Sequence, residues 1–302
     1  MDKKKITLSG SLGSIGRPLT TQLVSLGHDI TVISSSPERA KEIEAIGATP
    51  AIGMLQDVDF LKSVFKDADT VYTMVPPANY FDHELDLLEY FKTLGESFTK
   101  ALKETSVDHV VNLSSIGAHL KEGNGILQGT YHVEQSLNGL PENVSVVHIR
   151  PVEIFYNLFQ FVHLVKKEGI IGSNLTEDTL NVWVSIEDIV EVTVRELVEK
   201  TPGRSVRYVA SEEVHYTELA SVLGRAIDRP DLKWVPITDE QARDRLIGIG
   251  MQPKIAKDMA EMYAAIRTGL LYEHYRQYPP KEFGKVKLKD FAEDFAKAFK
   301  NV

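Results

Sequence analysis

Along the first half of the chain, short unbroken apolar runs alternate with stretches whose apolar residues recur at helical spacing. The runs lie at 6–8, 30–33, 48–52, 70–75, 107–113 and 144–149. They are rich in β-branched residues and do not alternate with polar ones, the pattern of parallel strands covered on both faces. Helical spacing fills 14–26, 37–46, 57–66, 80–104 and 124–139. Strand and helix in this order predict an α/β fold with a doubly wound parallel sheet and right-handed crossovers.

Local punctuation agrees with the periodicity. Ser36-Pro37-Glu38 reads as an N-cap, a proline at the first helical position and an acid in the first turn. Gly27 and Gly47 stand where left-handed residues end the first two helices. After Pro151 the rhythm changes. A long apolar helix at about 153–166 leads through a Gly/Asn/Thr loop to a strand at 180–184, then a helix (185–199), a strand (206–210), a helix (217–227) and a strand (233–236). Two or three further helices complete the chain, and Ser185 to Asp188 and Thr238 to Gln241 have cap spacing. The expectation is a dinucleotide-binding domain over 1–150 packed, without a flexible linker, on a smaller mixed α/β substrate-binding lobe over 151–302.

Composition narrows the chemistry. The 302 residues are 43% hydrophobic and 25% charged, ordinary for a globular protein, and the net charge of −9 repels nucleic acid and anionic lipid. There is no cysteine, which removes disulfides, thiolate nucleophiles and cysteine-held metals. The nine histidines are scattered, no two within a helical turn, so no local HExxH-type site forms. Lys3, Lys4 and Lys5 run straight into the first strand, with no apolar stretch of signal-peptide or membrane-spanning kind after them. A cytoplasmic protein acting on a small molecule, with no metal, nucleic acid or membrane partner, is the expectation.

Gly10-Ser11-Leu12-Gly13-Ser14-Ile15-Gly16 follows the first strand and opens a helix. Glycines there allow a tight turn and a close approach of backbone to a pyrophosphate, and the helix N-terminus offers free N–H groups and a positive dipole end. This is the phosphate loop of a Rossmann-type domain, and it implies a nicotinamide dinucleotide. The second strand ends Ser34-Ser35-Ser36, with no acid before Glu38 to hold a ribose 2′-OH, and Arg39 lies one turn on. A carboxylate would repel a 2′-phosphate, whereas hydroxyls and a guanidinium donate to it, so NADP(H) is favoured over NAD(H).

The glycines are spaced G-x-x-G-x-x-G. That loop, within SGSLGSIGRPLTTQLVSLGHDITVIS, together with VVNLSSIGAH, YHVEQSL, VHIRPVEIFYNL and VSIEDIVEVTVRELV, resembles the NmrA-like branch of the extended and atypical short-chain dehydrogenases, in order from about residue 5 to 235. Relatives in that branch that use NADP often carry an arginine near the position of Ser34, which this chain lacks. The resemblance implies that the loop Pro76 to Tyr80 lies beside the nicotinamide and that Ser114 or Ser115 lies near the substrate. It also places Asn157 in a pocket segment of the family. Most short-chain dehydrogenases use a Tyr and a Lys four residues later as an acid–base pair. Counted back from Glu134, those positions hold Ile126 and Thr130, and Tyr131 and His132 are out of register.

In a doubly wound sheet the ligand lies beyond the carboxyl ends of the strands. Val75-Pro76-Pro77, Ser114-Ser115 and Arg150-Pro151 are therefore candidates. Tyr131 or His132 is a candidate proton donor, or else a hydrogen-bonded structural residue. Tyr156, Gln160, His163 and Lys167 would form one polar stripe on the 153–166 helix, with Phe155, Tyr156 and Asn157 forming a pocket wall; the alternative is a core helix with a solvated edge. Three functions compete. One is an NAD(P)H-dependent oxidoreductase acting on a small quinone-like or carbonyl substrate without the Tyr/Lys pair. Another is a non-catalytic NADP(H)-sensing regulator of a protein partner. The third is a nucleotide-sugar epimerase or dehydratase, which the missing pair disfavours.

Overall fold

The structure, a computed structural model, describes residues 2–301. Six strands come from the first half: β1 (Lys5–Leu8), β2 (Asp29–Ser34), β3 (Thr49–Ile52), β4 (Thr70–Thr73), β5 (His109–Leu113) and β6 (Ser145–Pro151). They alternate with α1 (Gly16–Ser25), α2 (Ala40–Ile46), α3 (Val58–Phe65), α4 (Leu87–Lys103) and α5 (Gln128–Asn138). The chain winds outward from β1 to β3, then returns to lay β4, β5 and β6 on the other side of β1. All neighbours in this sheet are parallel. The winding reverses between β1 and β4, the switch point beyond whose carboxyl ends a doubly wound sheet places its ligand crevice.

The continuous apolar runs are explained by burial on both faces. Val111 and Val147 point into the core shared with Leu19 and Leu23 of α1. Their neighbours Val110 and Val146 point into the opposite core, with Phe65, Leu94 and Phe98. Each such fully buried side chain contributes roughly 1.5–3 kcal/mol, so neither helical layer is dispensable.

The second half holds β7 (Glu153–Ile154), α6 (Val162–Glu168), β8 (Leu180–Val184), α7 (Ile186–Val198), β9 (Arg204–Val209), β10 (Glu212–His215) and α8 (Tyr216–Ala226). α9 (Asp239–Gly248), α10 (Pro253–Arg267), α11 (Glu273–Gln277) and α12 (Leu288–Asn301) follow. β10, β8 and β7 form a small mixed sheet, but β9 joins the large one as its seventh strand, beside β6. α7 packs beside α1, so this half also completes one face of the first. Among the described residues no helix is long and apolar enough to cross a membrane.

Most predicted elements are present within a few residues, and Ser185 and Thr238 cap their helices, the latter with a full capping box to Gln241. Gly27 and Gly47 adopt left-handed φ values of 87° and 92°. Five readings need correction or qualification. Four α-helices, α9 to α12, follow residue 236 where two or three were expected. Ser36 holds the N-cap position with Pro37 and Glu38 in the first turn as expected, but its side chain makes no cap bond and the turn it opens, 37–39, is 3-10. The 80–104 helix starts only at Leu87, because Pro76 and Pro77 lack donors and the Asn79 and Asp82 side chains capture the N–H groups of Phe81 and Glu84. The 153–166 helix is absent as such. β8 takes residues 153 and 154 into the small sheet, and Phe155–Phe161 winds as a 3-10 helix. Its three-residue repeat buries Phe155 and Leu158 and leaves Tyr156, Asn157 and Gln160 outside, so no single α-helical stripe runs through them. Finally, 233–236 forms no strand of either sheet but an isolated parallel bridge, Ile171 to Trp234, flanked by backbone bonds of Ile171 to Lys233 and Val235, while β7 and β10 are strands the periodicity did not reveal.

Candidate functional site

The glycine loop is held from three sides. The Ser9 hydroxyl accepts from the Met74 N–H at 2.9 Å, and the Ser11 N–H donates to the Ile33 carbonyl at 3.2 Å, tying the loop to the ends of β4 and β2. A Cβ at Gly16 would collide with the Ser11 carbonyl, so helix and loop pack too closely for any other residue. Gly13 is different. Nothing lies within 4 Å of where its Cβ would stand, and Gly13 and Ser14 face outward. Leu12 is buried beneath them, and Ile15 at the start of α1 supplies no side-chain cap. The Ser11 hydroxyl, buried and without a protein partner, completes a cradle of unused donors. A pyrophosphate fits this set: backbone N–H groups, a helix N-terminus and one hydroxyl awaiting an acceptor.

At the end of β2, Ser34 is buried and Ser35 exposed. Arg39 reaches back to the glycine loop, its Nη1 donating to the Leu12 carbonyl at 3.2 Å. It also stands 3.6 Å from Glu42, which is ion-paired to Arg17 as well. Two guanidiniums thus flank one carboxylate beside the glycine loop. Sequence reasoning missed Arg17, although it directly follows the last glycine.

Across the crevice, the Ser114 hydroxyl donates to Glu134 Oε1 at 2.5 Å. Arg150 grips the same carboxylate with Nε at 2.9 Å and Nη2 at 2.5 Å, and passes Nη1 to the Tyr208 hydroxyl at 3.1 Å. Glu134 and Arg150 are 1% and 4% exposed. Burial alone would push the Glu134 carboxyl up; the Arg150 guanidinium, with His148 and the Ser114 hydroxyl, outweighs it and holds the group below the usual range. Ser115 lies partly exposed beside Ser114, and Val75, Pro76 and Pro77 line the end of β4, where the Pro76 carbonyl accepts from the Tyr90 hydroxyl at 3.3 Å.

The proton-donor candidates separate. Tyr131 lines a polar cavity of about 370 Å³ with His119, Glu134, His148, Arg150 and Arg204. His119 in that cavity is held down to about 4, by burial first and by Arg150 and His274 next, so its imidazole is neutral. His132 stacks edge-on against Tyr131 at 5.3 Å and is not part of the cavity wall. Burial, Lys92 and Lys121 lower its pKa. Neither side chain is hydrogen-bonded to Ser114. Thr130 spends its hydroxyl on the Leu127 carbonyl at 2.6 Å, and Ile126 packs in an apolar cluster with Tyr80 and Met259.

The predicted pocket wall is divided likewise. Phe155 is core, stacked between Trp183 and Phe291, whereas Tyr156 and Asn157 are exposed. An apolar pocket of about 320 Å³ opens instead between Gln160 to Leu164 and the helices α9 and α10. Its lining residues Leu246 and Met259 also pack in the cluster containing Ala78 and Tyr80, which joins the pocket to the loop after β4. Of this pocket only Gln160 was singled out in the sequence. The rest comes from segments scattered over some hundred residues, each unremarkable alone.

Residues 10–137 match a family described as NAD(P)H-binding. An NAD(P)H azoreductase of Xenophilus azovorans is 24% identical over 266 residues, covering 86% of this chain and 86% of that protein. The Citrobacter triphenylmethane reductase complexed with NADP(H) superposes with a TM-score of 0.77 at 16% identity, over 96% of this chain and 99% of that one. An NADPH-dependent quinone oxidoreductase of Escherichia coli does so with a TM-score of 0.77 at 15% identity, over 96% and 98%. Residues 10–137 thus resemble an NAD(P)H-binding family, and the fold is shared from end to end with the triphenylmethane reductase and the quinone oxidoreductase.

Proposed function

We propose that the protein is an NADPH-dependent oxidoreductase that reduces a small conjugated, quinone-like acceptor without a tyrosine–lysine acid–base pair. The observation that carries the reading is the cradle at the glycine loop, where Gly13 is open and the buried Ser11 hydroxyl has no partner. Arg39, fixed against that loop, and Arg17 outnumber the single Glu42 carboxylate they share and favour a 2′-phosphate over a bare ribose, and the serines at 34–36 add no second acid. A bound nicotinamide supplies a hydride. Ser114 holds its position as an acceptor, because its hydrogen is committed to Glu134. Ile126 and Thr130 have no proton to offer a substrate oxygen. An acceptor that spreads the developing charge over a conjugated system tolerates this, and solvent completes the protonation.

Calorimetric titration of NADPH and NADH tests the cofactor half. Gly13→Val has room in the folded chain, so its expected loss of at least tenfold in NADPH affinity reports the ligand and not the fold. Arg39→Ala is expected to narrow the NADPH preference by roughly 1–2 kcal/mol. Equal affinity in the Gly13→Val variant, or tighter NADH binding by wild type, refutes the assignment. NADPH oxidation with a quinone panel tests the rest; tight binding with no turnover of any acceptor would instead mark a nucleotide-sensing protein.

A further inference from the structure

Beside the glycine loop, one acidic side chain ties together the first turns of two helices. Arg17 is the second residue of α1 and Glu42 the third of α2, and Glu42 Oε1 accepts from Arg17 Nη2. The other carboxylate oxygen, Oε2, is 3.6 Å from Nη1 of Arg39, the nitrogen that also donates to the Leu12 carbonyl of the loop. A single carboxylate therefore occupies both guanidiniums at this place. The side chains of Arg17, Arg39 and Glu42 are 45%, 43% and 42% exposed, so none is locked in the core and a ligand can reach all three.

A carboxylate held between two guanidiniums takes up the same charge-assisted contacts that a phosphate would make with them. We propose that Glu42 is an internal competitor for the 2′-phosphate of NADPH. It occupies the two arginines in the free protein, so that NADPH binding exchanges one anion for another. The inference rests on the reading of Arg17 and Arg39 as the groups that favour a 2′-phosphate. A phosphate monoester carries a charge of about −1.5 to −2 at neutral pH, and here it meets a like charge beside its two partners. NADH, with a hydroxyl in that position, leaves the pairs of Glu42 with the arginines intact. Glu42 thus sets how strongly NADPH is preferred, and not whether a dinucleotide binds.

Glu42→Gln keeps the shape and removes the charge. An exposed ion pair contributes little to stability, so the variant should fold as wild type does. NADPH and NADH are titrated into both proteins by calorimetry at low salt. Removing one like charge beside a phosphate should tighten NADPH binding roughly tenfold, while NADH affinity stays within about twofold. In about 0.5 M KCl most of that gain should vanish, because these side chains are open to screening ions. Glu44→Gln makes the same change in net charge at an exposed position two residues on, which faces another side of the helix, and should leave both affinities unchanged. Unchanged NADPH affinity in Glu42→Gln overturns the inference. So does weaker NADPH binding, which would make Glu42 a support that positions the arginines, and so does a loss confined to NADH, which would make it a partner of the ribose hydroxyl. A gain that persists in high salt, or that Glu44→Gln reproduces, overturns it as well. Any of these failures beside a wild type that prefers NADPH leaves the cofactor reading standing; a wild type that prefers NADH, or binds neither nucleotide, breaks that reading instead.

Discussion

Glu134 in the first lobe and Glu153 at the root of the second are both drawn largely out of water, and in each case hydroxyl or amide groups gather round the carboxyl. Glu134 receives Ser114 and a bidentate Arg150. Glu153 receives the Tyr216 hydroxyl at 3.1 Å and the Asn181 amide, and Tyr272 closes the ring by donating to Asn181. The difference is one cation. With Arg150 beside it, Glu134 stays charged; with neutral partners only, burial pushes Glu153 up to about 7. Hydrogen bonds alone therefore do not offset desolvation of a carboxylate in this molecule, and a guanidinium does.

Removing that cation is the most damaging way to break the comparison. Arg150→Met should destabilise the protein by about 3–5 kcal/mol, because the buried Glu134 charge loses its counter-ion. Adding Glu134→Gln to that variant should recover a large part of the loss. Urea unfolding of both variants measures it, and additive effects would mean that the two side chains are not energetically coupled.

A smaller effect is expected at Glu153. Its folded-state pKa of about 7 lies above the ordinary 4.5, so the folded state holds the proton more tightly. The associated stability is complete below about pH 4.5 and is lost as the pH rises through 7. Between pH 5 and 8 wild type should lose roughly 1–3 kcal/mol more than Glu153→Gln, the size of a shift of this order discounted for partial exposure. Parallel pH profiles of the two proteins would show that Glu153 keeps an ordinary pKa.

The smallest effects sharpen the contrast on the functional side. Tyr131 shares a cavity with the charged Glu134–Arg150 pair, and His132 stands outside it. If neither is an essential acid, Tyr131→Phe and His132→Ala should each lower quinone reduction by less than about tenfold, well short of the 10²–10⁴ expected for losing a general acid. A pH–rate profile on both variants reads it, and a thousandfold loss in either would identify a dedicated donor.

How far the sequence could be read follows from how local each cause was. Parallel strands announce themselves because burial on both faces leaves no polar alternation, as at 110–111 and 146–147. The glycine loop is legible because backbone approach is a property of consecutive residues. By contrast, 155–161 is apolar almost all round, with only Asn157 and Gln160 polar, so its composition agrees equally with an α-helix and with the 3-10 turn that buries Phe155 and Leu158. The loop before Leu87 was hidden because Asn79 and Asp82 act through side-chain bonds that periodicity does not register. The apolar pocket was out of reach altogether. Its wall joins Gln160 to Met259, residues that only the folded chain brings together.

The crossing of β9 into the large sheet has a consequence for any attempt to cut the molecule. A fragment ending near residue 150 would lack β9, leaving β6 as a bare edge with a full row of unpaired backbone groups. It would also lack α7, so the apolar flank of β4, β5 and β6 beside α1 would stand uncovered. Such a fragment is a template for strand addition and should self-associate when expressed alone. The two halves are thus one folding unit, and exchanging second halves between related folds requires keeping β9 and α7 with the large sheet.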